Sequence, residues 1–450
     1  MAQHRSTPDS NPPRNSRARG GSVRFAAMLA TVGLLLASCG QNAASNAPGG
    51  SGSNAPAGSG AQAPAVSPAA SVGGALTVWA MGNEGVKLKD LAASFMKDNP
   101  GTTVTVVPVD WGQAVAKLTT AIAGHQTPDV SQMGTDMMGQ FAATKALEAV
   151  PANFASSTFF QSAWNTSIVA GTVYGVPWYV DTRLLYYRTD IAKKAGITAP
   201  PMTWDDLTAM AKAMQSKGGA TWGIGLGTKN WQEYLPFLWS NGGDVIDAQG
   251  KFTLNSPQAV EALTFYESFF KTGVAQKTVP ANFDITPAFV SGTHPMFFSG
   301  PWHIGLITAA GGPSFKDKLG LALMPKKVSA TSFVGGSNLV VYKDSKNKDL
   351  AWKFVQYLSD PKTQVAWYAD VTDLPAVQAA WDDPALKGDP NVAMFGDQLK
   401  VTKAQPVIST WSEVATALNS TLEKMTTGAI DPQAAADEMQ KEAEKVGTGN

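Results

Sequence analysis

From Ala75 onward the chain alternates short β-branched segments with amphipathic helices, and this order of elements constrains the fold more than any other feature. Residues 75–80 read as a strand. Leu88, Leu91, Ala92 and Phe95 then recur at helical spacing, and Asn99, Pro100 and Gly101 stop that helix. The valine-rich stretch 102–109 is a second strand. Val115, Leu118 and Ile122 mark a second helix closed by Gly124, and Thr127 to Val130 leads into a third strand. Strands separated by helices of this kind predict βαβ units and a parallel sheet. The pattern resumes later. Residues 184–187 and 339–342 read as strands. Thr203 with Asp206 predicts a capped helix, and Ser256 followed by Pro257 predicts another. Leu350, Phe354, Val355 and Leu358 form a further helical face that Ser359, Asp360 and Pro361 end, and the last hundred residues read as mostly helical. No fixed-period repeat is visible, which argues against a solenoid.

The first 74 residues have a different character. Arg14, Arg17, Arg19 and Arg24 precede an apolar run from Phe25 to Leu36, too short to span a bilayer but suited to a signal-peptide core. The run ends in Leu36-Ala-Ser-Cys39, which resembles the bacterial lipobox, and Cys39 is the only cysteine. That resemblance implies cleavage before Cys39, a lipid on its sulfur, and a place outside the cytoplasm, anchored to the cell membrane. Residues 41–74 carry no charge and no aromatic ring. Such a segment cannot bury enough apolar surface to offset its ordering entropy and is expected to be a tether, with an end-to-end distance of roughly 30 Å.

Some 376 residues follow Gly74, more than one core usually holds, so two lobes are expected. The 450-residue sequence is formally neutral, but residues 1–38 hold five arginines and one acid. The remainder has 30 basic and 34 acidic residues. That balance does not point to nucleic acid. One cysteine permits no internal disulfide, and the four scattered histidines do not suggest a metal centre or any cofactor. Only Arg183 and Arg188 follow the leader, five residues apart.

Aromatic, carboxylate and glycine residues coincide in five stretches: 79–84, 134–136, 176–183, 299–302 and 335–338. Each is expected at or just after the end of a strand, where open α/β sheets bind ligands. Carboxylates there accept paired hydrogen bonds from vicinal hydroxyls, and an arginine fork donates them. Indole and phenol faces cover the C–H side of a sugar ring. Together these residue types point to a carbohydrate.

The same stretches resemble the extracellular solute-binding proteins of ABC sugar importers, of the maltose/trehalose-binding type. The resemblance rests on Leu76-Thr-Val-Trp-Ala-Met-Gly82, on Pro128-Asp-Val130 with Asp136 six residues later, and on Tyr174-Gly-Val-Pro-Trp-Tyr-Val-Asp-Thr-Arg-Leu-Leu-Tyr-Tyr-Arg188. Asn241-Gly-Gly-Asp244, Ser299-Gly-Pro-Trp302, Gly335-Gly336 and Asp373-Leu-Pro375 follow in the usual order. It implies an α/β, two-lobed periplasmic-binding-protein fold (type II), each lobe a mostly parallel sheet flanked by helices. Three interlobe crossings are expected near 178–184, 329–338 and 373–377. Residues 75–178 with 338–373 would form the first lobe, and 184–329 with 377–450 the second.

By the same resemblance Asp136 and Asp181 bind sugar hydroxyls, with Tyr179 beside Asp181 on one strand face, and Trp302 stacks on a sugar ring. Glu84, in the loop after the first strand, is a polar contact. Trp231 and Gln232 occupy a polar-aromatic ligand loop, and Gly336, Ser337 and Asn338 a crossing segment that contacts ligand through its backbone. Trp111 and Arg183 join the candidate contacts. Asp136 is also a candidate helix N-cap, Arg183 a candidate partner for Asp181, and Trp79, His294 and His303 read as packing or rim residues. The expected partners are a carbohydrate and ABC permease subunits, with the membrane reached through the lipid only and the protein a monomer that does no chemistry. The competing readings are a surface glycosidase using Asp136 and Asp181 as its carboxylate pair, the same fold binding a peptide, polyamine or metal, and a tethered adhesin or sensor.

Overall fold

The computed structural model describes residues 73–280 and 283–449; the leader, Cys39 and all but the end of the expected tether lie outside the described residues. Strand β1 (Gly74–Met81) begins at Gly74, whose N–H donates to the Gly101 carbonyl (3.1 Å). It pairs in parallel with β2 (Thr102–Val109) and β3 (Val130–Gly134). A short hairpin follows, β4 (Ile168–Val169) with β5 (Thr172–Val173). Next come β6 (Val176–Thr182) and β7 (Leu184–Arg188), then β8 (Met296–Ser299), β9 (Leu319–Ala322), β10 (Ser332–Val341), β11 (Leu374–Pro375) and β12 (Thr402–Lys403).

The larger sheet runs β11-β6-β10-β3-β1-β2, with β12 alongside β10. Its parallel block, β2-β1-β3, is the one read from the first three strands. Strand β10 is antiparallel to both β3 and β6. The smaller sheet, β8-β7-β9, departs from the expectation of a mostly parallel second lobe, because β8 and β9 both run antiparallel to β7. A parallel neighbour of β8 is reduced to one bridge, Gly225 to Phe297, in a stretch that Gly223, Gly225 and Gly227 make a poor strand.

Arg183 is the single residue between β6 in one sheet and β7 in the other. The period of two along β7 sends Leu185 into one hydrophobic core and Leu184 with Tyr186 into another. In the core that holds Leu184 and Tyr186, the buried Trp178 of β6 stacks on Trp367 of the helix Pro361–Val371, centroids 4.9 Å apart. In the core that holds Leu185, Trp204 stacks on Phe265 at 4.1 Å. Truncating buried rings of this size costs roughly 3–5 kcal/mol. The helix Pro390–Leu399 packs on β6, β10 and β9 at once, so this stretch of the expected second lobe lies across both sheets.

Local signals place the helices. Thr203 Oγ1 accepts from the Asp206 N–H (3.1 Å) while Asp206 Oδ2 accepts from the Thr203 N–H (3.0 Å), opening the helix Trp204–Ser216. Ser256 Oγ accepts from the Ala259 N–H (3.3 Å) at the head of Pro257–Lys271. Each such cap stabilises by about 1 kcal/mol. Glu84 sits in the first turn of the helix Gly82–Asp98 rather than in a loop, since the helix follows β1 directly. Asp136 caps no helix: the next one, Met138–Ala143, has Met137 before it and no side-chain cap.

Candidate ligand-binding cleft

The ends of β1, β3, β6 and β10 open on a cleft of about 800 Å³. Glu84 and Trp111 enter it from the helices that follow β1 and β2, and Asp136 from the turn after β3. Trp111 is set by its neighbour: Asp110 Oδ1 accepts from the Gly112 N–H (2.9 Å) and caps the helix Trp111–Ala123. Tyr179 and Asp181 alternate with Val180 on β6, so both face the cleft. Across the ladder Asp181 faces Gly335 and Val180 faces Gly336. Gly336 holds φ +111°, and a Cβ on it would collide with the Tyr179 carbonyl, so only glycine lets β10 lie this close. Its own carbonyl accepts from the Thr135 N–H (3.2 Å), tying the Asp136 turn to β10.

Under the cleft floor lies Gln132 of β3, fully buried. Its Oε1 accepts from the Met81 N–H (2.6 Å). Its Nε2 faces Tyr179 Oη (3.1 Å), Ser337 Oγ (3.1 Å) and Glu84 Oε1 (3.3 Å). The Tyr179 hydroxyl donates to the same Glu84 oxygen at 2.7 Å. Glu84 is therefore aimed by neutral donors.

The cleft is acidic. Glu84, Asp136, Asp181, Asp370 and Asp373 line it, and Arg183 is the one cation among the residues lining it. Arg183 is bound to Asp181, and Asp370 pairs with Lys87 at 2.8 Å, which leaves Glu84, Asp136 and Asp373 without a cation among the described residues. Burial pushes Asp373 well above the ordinary carboxylate range, and the charges of Glu84 and Asp181 push it further. Asp136 is raised by burial first and by Asp181 second. Burial also raises Asp181, while Arg183 beside it takes back part of the rise. Tyr179 is raised well above its usual value by burial and then by the charges of Glu84 and Asp373.

Nine of the residues singled out in the sequence line this cleft: Glu84, Trp111, Asp136, Tyr179, Asp181, Arg183, Gln232, Trp302 and Gly336. Three do not. Trp231 is buried edge-on against Phe333 and Trp411, centroids 5.6 and 5.0 Å away, because the first turn of its helix, Trp231–Ser240, turns the indole inward. Ser337 and Asn338 are each 1 % exposed. The ladder shifts register between them, and Asn338 Nδ2 donates to Thr166 Oγ1 (3.2 Å) while Ser337 joins the Gln132 group. Trp302 lies on the cleft wall, with its ring beside Gly300 and the Arg183 guanidinium over it, 4.8 Å from its centroid. Asp373, Thr135 and Phe333 line the cleft without having been assigned to it, and Gln132 supports it. Asp373 had a signal in the Asp373-Leu-Pro375 motif; Gln132, in a wholly buried strand, had none.

This architecture has known counterparts. The chain is similar to the sugar-binding protein MalE from Xanthomonas citri, with 30% identity and a TM-score of 0.76 over 83% of this chain and 97% of that one. It is similar to the GacH receptor of Streptomyces glaucescens, solved unliganded and with acarbose: 28% identity, TM-score 0.76, over 83% and 98% of the two chains. Among curated proteins it is 24% identical to the galactooligosaccharide-binding protein of Bacillus subtilis, covering 91% of this chain and 94% of that protein. The sequence pattern described as "Bacterial extracellular solute-binding protein" matches residues 81–365, which carry β2 through β10 and three of the five cleft acids, Glu84, Asp136 and Asp181. A two-lobed α/β chain with its cleft at the strand ends and that pattern along most of its length belongs to the bacterial extracellular solute-binding proteins.

Proposed function

We propose that the protein captures a carbohydrate between its lobes outside the cytoplasm and delivers it to an ABC permease. The observation that carries this reading is the convergence of carboxylates and indoles on one cleft: Glu84, Asp136, Asp181 and Asp373 as hydroxyl acceptors, with Trp111 and Trp302 as apolar surface. Its volume lies in the range of small-molecule sites, which favour domain junctions. Relatives named for maltodextrin, galactooligosaccharide and diacetylchitobiose support the ligand class. Ligand shifts the lobes toward closure by as much as it binds the closed form better than the open one. The residues bind and orient; no covalent step is assigned to them. Cys39 carries the lipid anchor in this reading, and the protein works as a monomer.

A thermal-shift screen of neutral mono- and oligosaccharides, followed by calorimetric titration, tests the proposal. At least one saccharide should raise the melting temperature and bind one-to-one, without hydrolysis of the corresponding aryl glycoside. Silence across the whole panel, or turnover, overturns it.

A further inference from the structure

The cleft holds more negative charge than the cations beside it answer. Arg183 engages Asp181, and Lys87 engages Asp370. Glu84, Asp136 and Asp373 line the same cleft with no cation among the described residues. The backbone sets two of the cleft acids side by side. Strand β11 pairs antiparallel with β6, Leu374 against Val180 and Pro375 against Tyr179, so the next step of that ladder brings Asp373 opposite Asp181. Like charges directly opposite on neighbouring strands are destabilising.

Asp373 is the informative residue. It is only 7 % exposed. One of its carboxylate oxygens accepts from the Trp367 indole N–H (3.2 Å). The other has no donor among the described residues and is not sealed in the interior, so it opens on the cleft that Asp373 lines. Glu84 is placed alike. Its Oε1 takes the Tyr179 hydroxyl and Gln132 Nε2, and its Oε2 takes no donor among the described residues. The charge of Glu84 also acts on Asp373, which puts the two carboxylates within electrostatic reach. Water solvates these oxygens while the cleft is open and leaves when a ligand fills it. A buried carboxylate then needs a proton or a cation. A hydroxyl brings one hydrogen bond and no charge, whereas an ammonium brings three donors and the charge.

We infer that the bound saccharide carries an amino group, held as an ammonium between Glu84 and Asp373 on the side of the cleft away from Arg183. The free oxygens of both carboxylates accept its hydrogen bonds, and its charge offsets the repulsion among Glu84, Asp181 and Asp373. Asp136 and the indoles take the hydroxyls and ring faces of the same sugar. This rests on the carbohydrate reading of the cleft and adds the charge of the ligand.

The test titrates matched sugars that differ only in hydroxyl against ammonium: glucose and glucosamine, galactose and galactosamine, cellobiose and the β-linked glucosamine disaccharide. Spermidine serves as a cation without a sugar ring. In at least one pair the amino sugar should bind tenfold or more tighter than its hydroxyl partner at pH 7, and tighter than spermidine. Asp373→Asn, which keeps an acceptor for Trp367, should cut that ratio threefold or more. Glu84→Gln with Asp373→Asn should bring the ratio close to one, whatever either affinity does by itself. Neutral saccharides binding as well as or better than amino sugars, or a ratio that survives both variants, overturns the inference while the carbohydrate reading stands. Failure of every saccharide to bind, with or without binding of spermidine, overturns both.

Discussion

Arg183 turns back two residues to form an ion pair with Asp181, and its guanidinium covers the Trp302 ring, 4.8 Å from the centroid. Both charged side chains are nine-tenths buried. One contact thus joins the last residues of β6, the step between the sheets and the wall of the cleft. Any change in Asp181 is felt in binding and in stability together.

Asp181→Ala should therefore do two things. It removes an acceptor from the cleft, with a loss of tenfold or more in affinity for any saccharide that binds, since a charge-assisted hydrogen bond contributes roughly 1.5–3 kcal/mol. It also strands a buried guanidinium, which costs about 3–5 kcal/mol of folding stability. Asp181→Asn should lose less of both. Calorimetry and ligand-free melting curves on the two variants check this. Unchanged affinity with lowered stability would restrict Asp181 to a structural role.

Asp373 predicts a pH dependence. Its carboxyl is raised well above the unfolded value by burial, then by Glu84 and Asp181. The folded protein thus holds this proton to higher pH than the unfolded chain does. The stability linked to it is full below the ordinary carboxylate pKa and is lost as pH rises toward the raised folded value. Asp373→Asn should raise the melting temperature near pH 7 and leave it nearly unchanged near pH 3. Asn keeps an acceptor for the Trp367 indole N–H, which donates to Asp373 at 3.2 Å. A variant less stable at pH 7 than at pH 3, relative to the parent, contradicts this.

Gln132→Leu should weaken binding without touching ligand. The substitution removes the Met81 N–H acceptor and the donor facing Tyr179, Ser337 and Glu84. Buried groups left unpaired cost about 1–3 kcal/mol each, so a loss of a few kcal/mol in stability is expected. Glu84 also loses part of its aim. Affinity per folded molecule, measured well below the melting temperature, should fall several-fold. A stability loss with full affinity would confine Gln132 to packing.

Cys39→Ala should release the protein from membranes into the medium. The basis is the apolar leader ending at Cys39 and the uncharged stretch after it. Fractionation of cells expressing the variant decides the matter, and continued membrane association would remove the anchor from the proposal. Protein beginning at Gly73 should keep the parent's melting temperature, because the first core residue of β1 is Leu76.

What could be read before folding was local. The parallel β1-β2-β3 block, the caps at Thr203 and Ser256, and the ends of helices at Pro100 and Pro361 follow from bonds and periodicities spanning a few residues. The motifs around Asp136, Tyr179 and Asp181 also announced themselves, since a carboxylate or phenol at a strand end faces the cleft once the strand is placed. Tertiary structure alone decided which way the remaining side chains turned. Trp231, Ser337 and Asn338 sit in ligand-like motifs yet point into the protein, because a helix turn and a register shift, each set by distant partners, rotate them away from the cleft. Asp373 and Gln132, 241 positions apart in the numbering, reach one cleft only when β3, β6 and β11 are assembled. Caps and periodicities act through neighbours along the chain. The direction of a side chain on a packed element depends on register and contacts made across hundreds of residues, and those exist only in the folded protein.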